Sequence, residues 1–440
     1  MAMPGSSSAR RVTPPSLAYE APVHAARLAN GLSILAQPDP SVPLVALYIF
    51  YRAGSRNERP GLTGLSHFFE HMMFNGARRF GPKQFDRVME AAGGRNNAYT
   101  SQNVTVYQDW FPSEALETVL DLEADRMAGL LLEPATVESE RAVVAAERRA
   151  MTESDNHALL EELLWSTAFT EHPYRWPVIG WMEDIAAWRA EDLAAYYATH
   201  YAPGNALLVA VGDVEPARLV ALAERTFGAI APGAAPRPVT AAEPPQRGER
   251  RAVLERAAQL ASLAVGWHVP ATRDAAYYPL RLVETLLLTG QSSRLYKRLV
   301  DRERVALALG GGFDLAFDPT LFLIACEVRE GQSSERVEAL LYEEIDALAA
   351  HGPSAEELAK AKRIRLADTF RGLKTISGRA NDLGLCEVFF GDYRELFRAA
   401  KAFEDVTAEE VRAAASRYFA AENRTVATLV PRKGEEGAAP

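Results

Sequence analysis

Within this 440-residue chain the segment Gly64 to Gly76 reads GLSHFFEHMMFNG, and three of its side chains carry donor chemistry: His67, Glu70 and His71. At i, i+3 and i+4 they fall on one face of a helix, because 3.6 residues per turn brings those positions together. Two imidazoles at that spacing can reach one Zn²⁺ at about 2 Å, with the intervening carboxylate beside the metal's open position. With 8 histidines in the chain, about 0.01 chance His-x-x-Glu-His matches are expected. Leu65, Phe68, Phe69, Met72 and Met73 form an apolar stripe on the other side, and Asn75-Gly76 is a stop signal. The remaining histidines, His24, His157, His172, His200, His268 and His351, have no partner at ligand spacing and read as packing or surface residues.

A catalytic zinc usually takes three protein ligands and leaves a fourth position open, so a third donor is needed. The helical run Glu138 to Arg149, ESERAVVAAERR, holds Glu140 and Glu147, two turns apart on one face. Their spacing alone fits a solvated charged face equally well.

The elements that must position these groups follow from composition shifts and periodicity. Pro43 to Tyr51 and Asn97 to Trp110 are β-branched and aromatic and read as strands, and Ser113 reads as the N-cap of the amphipathic run that follows. Ile230 to Gly248 is rich in proline and alanine and reads as a linker. Sliding the chain on itself by about 218 residues lays the segment from Arg189 over that from Thr407, with Glu191 on Glu409 and Asn205 on Asn423. The expected organisation is a tail over 1–22, an α+β domain over 23–230, a linker over 231–249 and a homologous α+β domain over 250–432. Each domain is expected to be an antiparallel-rich sheet with helices on one face, the two together forming a half-clamshell.

Lys plus Arg total 48 and Asp plus Glu 58, a net charge of −10, which argues against a nucleic-acid or anionic-membrane binder. Two cysteines exclude a disulfide framework. Neither a signal-peptide apolar region at the start nor any run of about eighteen apolar residues is present, so a cytoplasmic location is expected.

His67-Phe68-Phe69-Glu70-His71 is the inverted zinc signature, and the chain resembles the pitrilysin and mitochondrial-processing-peptidase family. That family carries a glutamate ligand on a second helix about 76 residues downstream, which falls on Glu147, and another acid seven residues earlier, which falls on Glu140. Gly93-Gly94, Asn97-Ala98, Thr100, Thr105, Tyr107, His172-Pro173-Tyr174, Pro177 and Gly180 extend the likeness, which covers about residues 25 to 430. The resemblance implies a zinc endopeptidase with one Zn²⁺ per chain, held by His67, His71 and Glu147. Glu70 would be the general base, and Glu140 would orient a ligand histidine. It further implies that Asn97 to Tyr107 is an edge strand, with Asn97, Ala98, Tyr99 and Thr100 binding a substrate peptide as an added strand; Asn97 also suits the close of the Gly93-Gly94 bend.

The second half departs from the pattern. At the repeat offset His67, Glu70 and His71 correspond to Thr285, Leu288 and Thr289, which leaves that helix a structural role. The family's arginine and tyrosine, which hold substrate and oxyanion, fall on Val300 and Leu307. The expectation is a heterodimer with a zinc-less homologous subunit that supplies the pair, acting on peptides or unfolded polypeptides. A non-catalytic core subunit and a self-sufficient homodimeric oligopeptidase are the alternatives.

Overall fold

The structure, a computed structural model, describes residues 21–432; residues 1–20 of the expected tail lie outside the described residues. The first half contains β1 (His24–Arg27), β2 (Ser33–Pro38), β3 (Leu44–Tyr51), β4 (Arg95–Thr100), β5 (Thr105–Pro112) and β6 (Ala206–Gly212). The second contains β7 (Arg250–Arg256), β8 (Ser262–Val269), β9 (Ala306–Gly312), β10 (Thr320–Val328) and β11 (Arg424–Pro431). The sheet orders are β1-β2-β6-β3-β5-β4 and β7-β11-β8-β10-β9. Dropping β1 makes the two orders identical, down to the single parallel pair in each, β2 with β6 and β7 with β11. β3 and β8 begin 218 residues apart (262 − 44), and so do β6 and β11 (424 − 206).

The repeat extends to single hydrogen bonds. Asn205 Nδ2 donates to His200 O at 2.8 Å, and Asn423 Nδ2 donates to Tyr418 O at 2.7 Å, each tying a helix end to the strand that follows. The fold is therefore α+β with two homologous halves.

β3 reads LVALYIFY, and Val45 to Tyr51 are all buried, because both faces of its sheet are covered. One face packs on helices of its own half, including Leu65–Met72, Leu116–Gly129 and Pro216–Phe227. The other face receives a helix from the second half, Ile376–Leu385, whose Ala380 and Leu383 meet Leu35, Tyr48, Phe50, Leu207 and Val209. The exchange is reciprocal: the first-half helix Asn156–Ala168 sets Leu160 and Leu164 against Ala264, Ala427 and Leu429 of the second sheet. Burying such leucines contributes roughly 1.5–3 kcal/mol each, so each half stabilises the other's exposed sheet face.

Polar contacts fix the alignment of the halves. Arg56 Nε donates to Asp318 Oδ2 at 2.8 Å, and His172 Nε2 lies 3.2 Å from the same oxygen. Residues 231–247 form no helix or strand, yet they are anchored: Glu243 accepts the backbone N–H groups of Thr170, Glu171 and His172 at 2.9, 2.9 and 3.1 Å.

Two expectations are corrected. Asn97 to Trp110 is a hairpin, not one strand, because the Ser101 hydroxyl accepts the N–H groups of Asn103 and Val104, both at 3.1 Å, and closes a tight turn between β4 and β5. Ser113 does not cap a helix. Its hydroxyl donates to Asp213 at 2.6 Å, and Ser113–Ala115 form a short 3-10 turn ahead of Leu116–Gly129.

Candidate metal centre

The helix Leu65–Met72 buries the apolar stripe completely: Leu65, Phe68, Phe69, Met72 and Met73 are each no more than 2% exposed. Its start is crowded, since a Cβ at Gly180 would lie 2.6 Å from the Gly64 Cα, and Gly64 itself has φ 87°. Glu58, buried beneath, accepts the N–H groups of Gly64 and Ser66 at 2.7 Å each and so satisfies the helix's first donors. On the far side Tyr107 of β5 donates to Phe69 O at 3.0 Å. The helix is thus held from both ends, which leaves the His67, Glu70 and His71 face directed outwards.

The helix Pro134–Glu147 crosses that face. His71 Nε2 lies 3.3 Å from Glu147 Oε2, and His67 Nε2 lies 3.8 Å from Glu147 Oε1. Among the described residues, His67, His71 and Glu147 are the one group of at least three such donors whose ligand atoms all lie within 4.8 Å of one another. Donor atoms about 2 Å from one tetrahedral ion sit roughly 3.3 Å apart, so the set fits a zinc ion. Protonation fits too. Burial, with a smaller contribution from His71, lowers the His67 pKa to about 3 and keeps that imidazole neutral, the form with a lone pair to donate.

His71 Nδ1 hydrogen-bonds Glu140 Oε1 at 2.8 Å, and Asn75 Nδ2 donates to Glu140 Oε2 at 2.7 Å. The carboxylate is held on both oxygens, and by accepting the Nδ1–H of His71 it leaves Nε2 free of a proton to face Glu147. Burial works to lower the His71 pKa, but Glu140, Glu147 and Glu70 outweigh it and raise it. Glu70 is bonded by Thr100 of β4, and burial raises its carboxyl above its ordinary value.

The three donors lie between two hollows. One, of about 370 Å³, is lined by Glu70, His71, Asn75, Asn97, Ala98 and Glu140; the other, of about 340 Å³, includes His67, Glu147, Met151, Glu161 and Trp165. A larger hollow of about 640 Å³ lies against Arg59, Tyr196 and Arg237 and contains none of the donors. β4 is the last strand of its sheet, so its outer edge has no strand partner among the described residues.

The strand expectations are refined at two points. The edge strand is Arg95–Thr100 alone; Thr105 to Tyr107 belong to β5, which is enclosed between β3 and β4. Side chains alternate along it, so Ala98 and Thr100 turn to the motif helix while Tyr99 packs in the cluster between the halves, away from the donors. Glu58 has no place in the sequence analysis, and Asn75 enters it only as part of the helix stop. Asn75 stands at i+4 from His71, a spacing that places it beside the same carboxylate; Glu58 lies outside the helix and had no such signal. In the second half Val300 is half-buried against the local core, and Leu307 is 41% exposed on β9.

Comparison with known proteins adds independent information. A family model described as Insulinase (Peptidase family M16) matches residues 33–180, and one described as Peptidase M16 inactive domain matches residues 187–365. The zinc protease PqqE of Helicobacter pylori is 31% identical over 416 residues, 92% of each chain. The solved structure of a protease from Helicobacter pylori superposes with TM-score 0.90 at 28% identity, covering 94% of this chain and 100% of that one. The periplasmic protease PqqL of Escherichia coli has the same fold, with TM-score 0.77 at 20% identity, covering 94% of this chain but 48% of its own.

Proposed function

The chain belongs to the M16 peptidase family, that of insulinase, and on that premise we propose that it is a zinc-dependent endopeptidase subunit acting on peptides or unfolded polypeptides. The observation that carries this reading is the convergence of His67, His71 and Glu147 within 4.8 Å, one helical turn from Glu70 and beside the free edge of β4.

His67, His71 and Glu147 would hold the ion, with Glu140 orienting His71. Zinc, when bound there, supplies a Lewis acid that polarises a carbonyl and acidifies a water. Glu70 accepts the attacking water's proton and returns it to the leaving amine; Thr100 holds it in place for both transfers. β4 offers its unpaired backbone groups to an extended substrate, which lies across the donors with room on either side.

At the family positions for oxyanion support stand two apolar side chains, Val300 and Leu307. Loss of one such donor costs roughly 10²- to 10³-fold in rate, so the reading includes a homologous, zinc-less partner that supplies an arginine and a tyrosine. The match of residues 187–365 to an inactive-domain model favours a non-catalytic subunit only weakly, because Glu70, Glu140, Glu147 and both histidines lie outside that stretch.

The test is zinc stoichiometry together with hydrolysis of a quenched fluorescent peptide library, by the chain alone and mixed with a zinc-less homologue. The expected result is one zinc per chain, little turnover alone and strong turnover in the mixture. Absence of zinc, or of turnover in every mixture, refutes the enzyme reading; full turnover alone refutes the need for a partner.

A further inference from the structure

The three donors are not built on one body. His67 and His71 stand on a helix seated in the first-half core, whereas Glu147 is the last residue of Pro134–Glu147, where the chain leaves that core. The middle of this second helix is held by the first half: Arg141 Nη1 donates to Ile185 O at 2.6 Å and Nη2 to Trp188 O at 2.8 Å. Its end is held differently. The backbone widens into a π-helical turn over Arg148–Glu153, directly after Glu147. Such turns are rare and occur frequently at functional sites.

Arg148, the first residue of the turn, is tied down on two sides. It is 5% exposed, lies over Trp181 with 5.4 Å to the ring centroid, and makes a two-pronged bond to Glu162, Nη1 to Oε2 at 2.9 Å and Nη2 to Oε1 at 3.1 Å. Glu162 belongs to Asn156–Ala168, the helix that packs its leucines on the second sheet. The second half itself holds the chain at the end of that turn and just beyond it. Arg256 of β7 donates to Glu153 O at 2.7 Å, and Asn156 donates to Ala257 O at 3.0 Å.

We infer that Arg148 is a positioning residue for the metal site: through Glu162 it clamps the end of the ligand helix to Asn156–Ala168, the first-half helix seated on the second sheet, and so holds the Glu147 carboxylate against the two histidines. The inference rests on the zinc reading above and assigns the zinc-free half of the chain a role in metal affinity. A planar, always-charged fork suits this work, because two parallel bonds fix direction as well as distance.

The test is the zinc dissociation constant of the full chain, measured by competition with a chromophoric chelator. The set comprises wild type, Arg148→Met, Glu162→Gln, and His71→Ala as the ligand control. Arg294→Met completes it by breaking a comparable fork to Glu357 remote from the site. Arg148→Met and Glu162→Gln are expected to weaken zinc binding about 10- to 100-fold, while Arg294→Met, matched for loss of thermal stability, leaves it unchanged. Should Arg148→Met not fold, Glu162→Gln, which keeps the side-chain shape, decides alone. Affinity within about two-fold of wild type in a folded clamp variant overturns the inference and leaves the metal reading standing. Wild type without zinc, or His71→Ala with undiminished zinc, overturns the metal reading and the inference with it.

Discussion

Arg365 Nε donates to Thr285 Oγ1 at 2.6 Å, and these two residues stand 218 positions after Glu147 and His67 respectively (365 − 147 and 285 − 67). The second half thus keeps the geometry of the donor pair and replaces donor and ligand by a guanidinium and a hydroxyl. Arg365 also reaches Arg281 O at 2.9 Å and Glu284 at 3.1 Å, so its own charge fills the equivalent position. Arg365→Met is expected to cost about 1–3 kcal/mol in urea unfolding, through lost hydrogen bonds, with zinc content unchanged. A loss of zinc in that variant would contradict the structural role given to this helix.

Separating metal binding from proton transfer identifies the role of Glu70. Glu70→Gln keeps the size of the side chain and removes the base, so zinc should remain at one per chain while turnover falls by about 10²- to 10⁴-fold. His71→Ala should lose the metal itself. Elemental analysis beside peptide turnover distinguishes the two, and retained turnover in Glu70→Gln would refute the assignment.

The carboxylate behind His71 is the next element to perturb. Glu140→Gln and Asn75→Ala each remove one side of the contacts that fix His71, and a weakening of zinc affinity by about 10- to 100-fold is expected for Glu140→Gln. Asn75→Ala should fall in the same direction and by less, since Glu140 keeps its bond to the ring. Equal affinity in Glu140→Gln and wild type would show that the carboxylate is not needed to orient the ligand.

Acid should loosen the two halves. Burial alone would raise the Asp318 carboxyl, but His172 and Arg56 hold it below its ordinary value of 3.8. A carboxylate with a depressed folded pKa stabilises the fold above the unfolded value and loses that contribution as pH falls through the folded one. Wild type should therefore exceed Asp318→Asn in stability by about 1–3 kcal/mol at pH 7, and the gap should close below pH 3.8. Melting temperatures of both proteins across pH 2 to 7 check the sign; a gap that widens in acid would refute it.

What was legible in the sequence is what short-range geometry encodes. Two histidines and a glutamate at i, i+3 and i+4 must share a helix face, and the Leu65, Phe68, Phe69 and Met72 stripe must turn that face outwards. The 218-residue repeat was legible too, because a duplicated fold preserves its pattern of elements, and the resemblance to a known family supplied Glu147 and Glu140.

Other features depend on residues far apart in the chain, which no local period encodes. The sequence reading merged β4 and β5 because both runs favour strand; the Ser101 hydroxyl, bonding two following N–H groups, decided the turn. It lists Tyr99 among the strand residues that would pair with a substrate; which way its side chain turns, towards the other half, follows only from the register. Above all, it could pair Glu147 with His67 and His71 only by likeness. Their approach is set by the packing of Pro134–Glu147 on the motif helix, by Asn75 beside Glu140 and, on the inference above, by the fork from Arg148 to Glu162. The sequence by itself determined which groups could do the chemistry; the packing of Pro134–Glu147 across the motif helix decided where they meet, because those contacts join residues far apart in the chain.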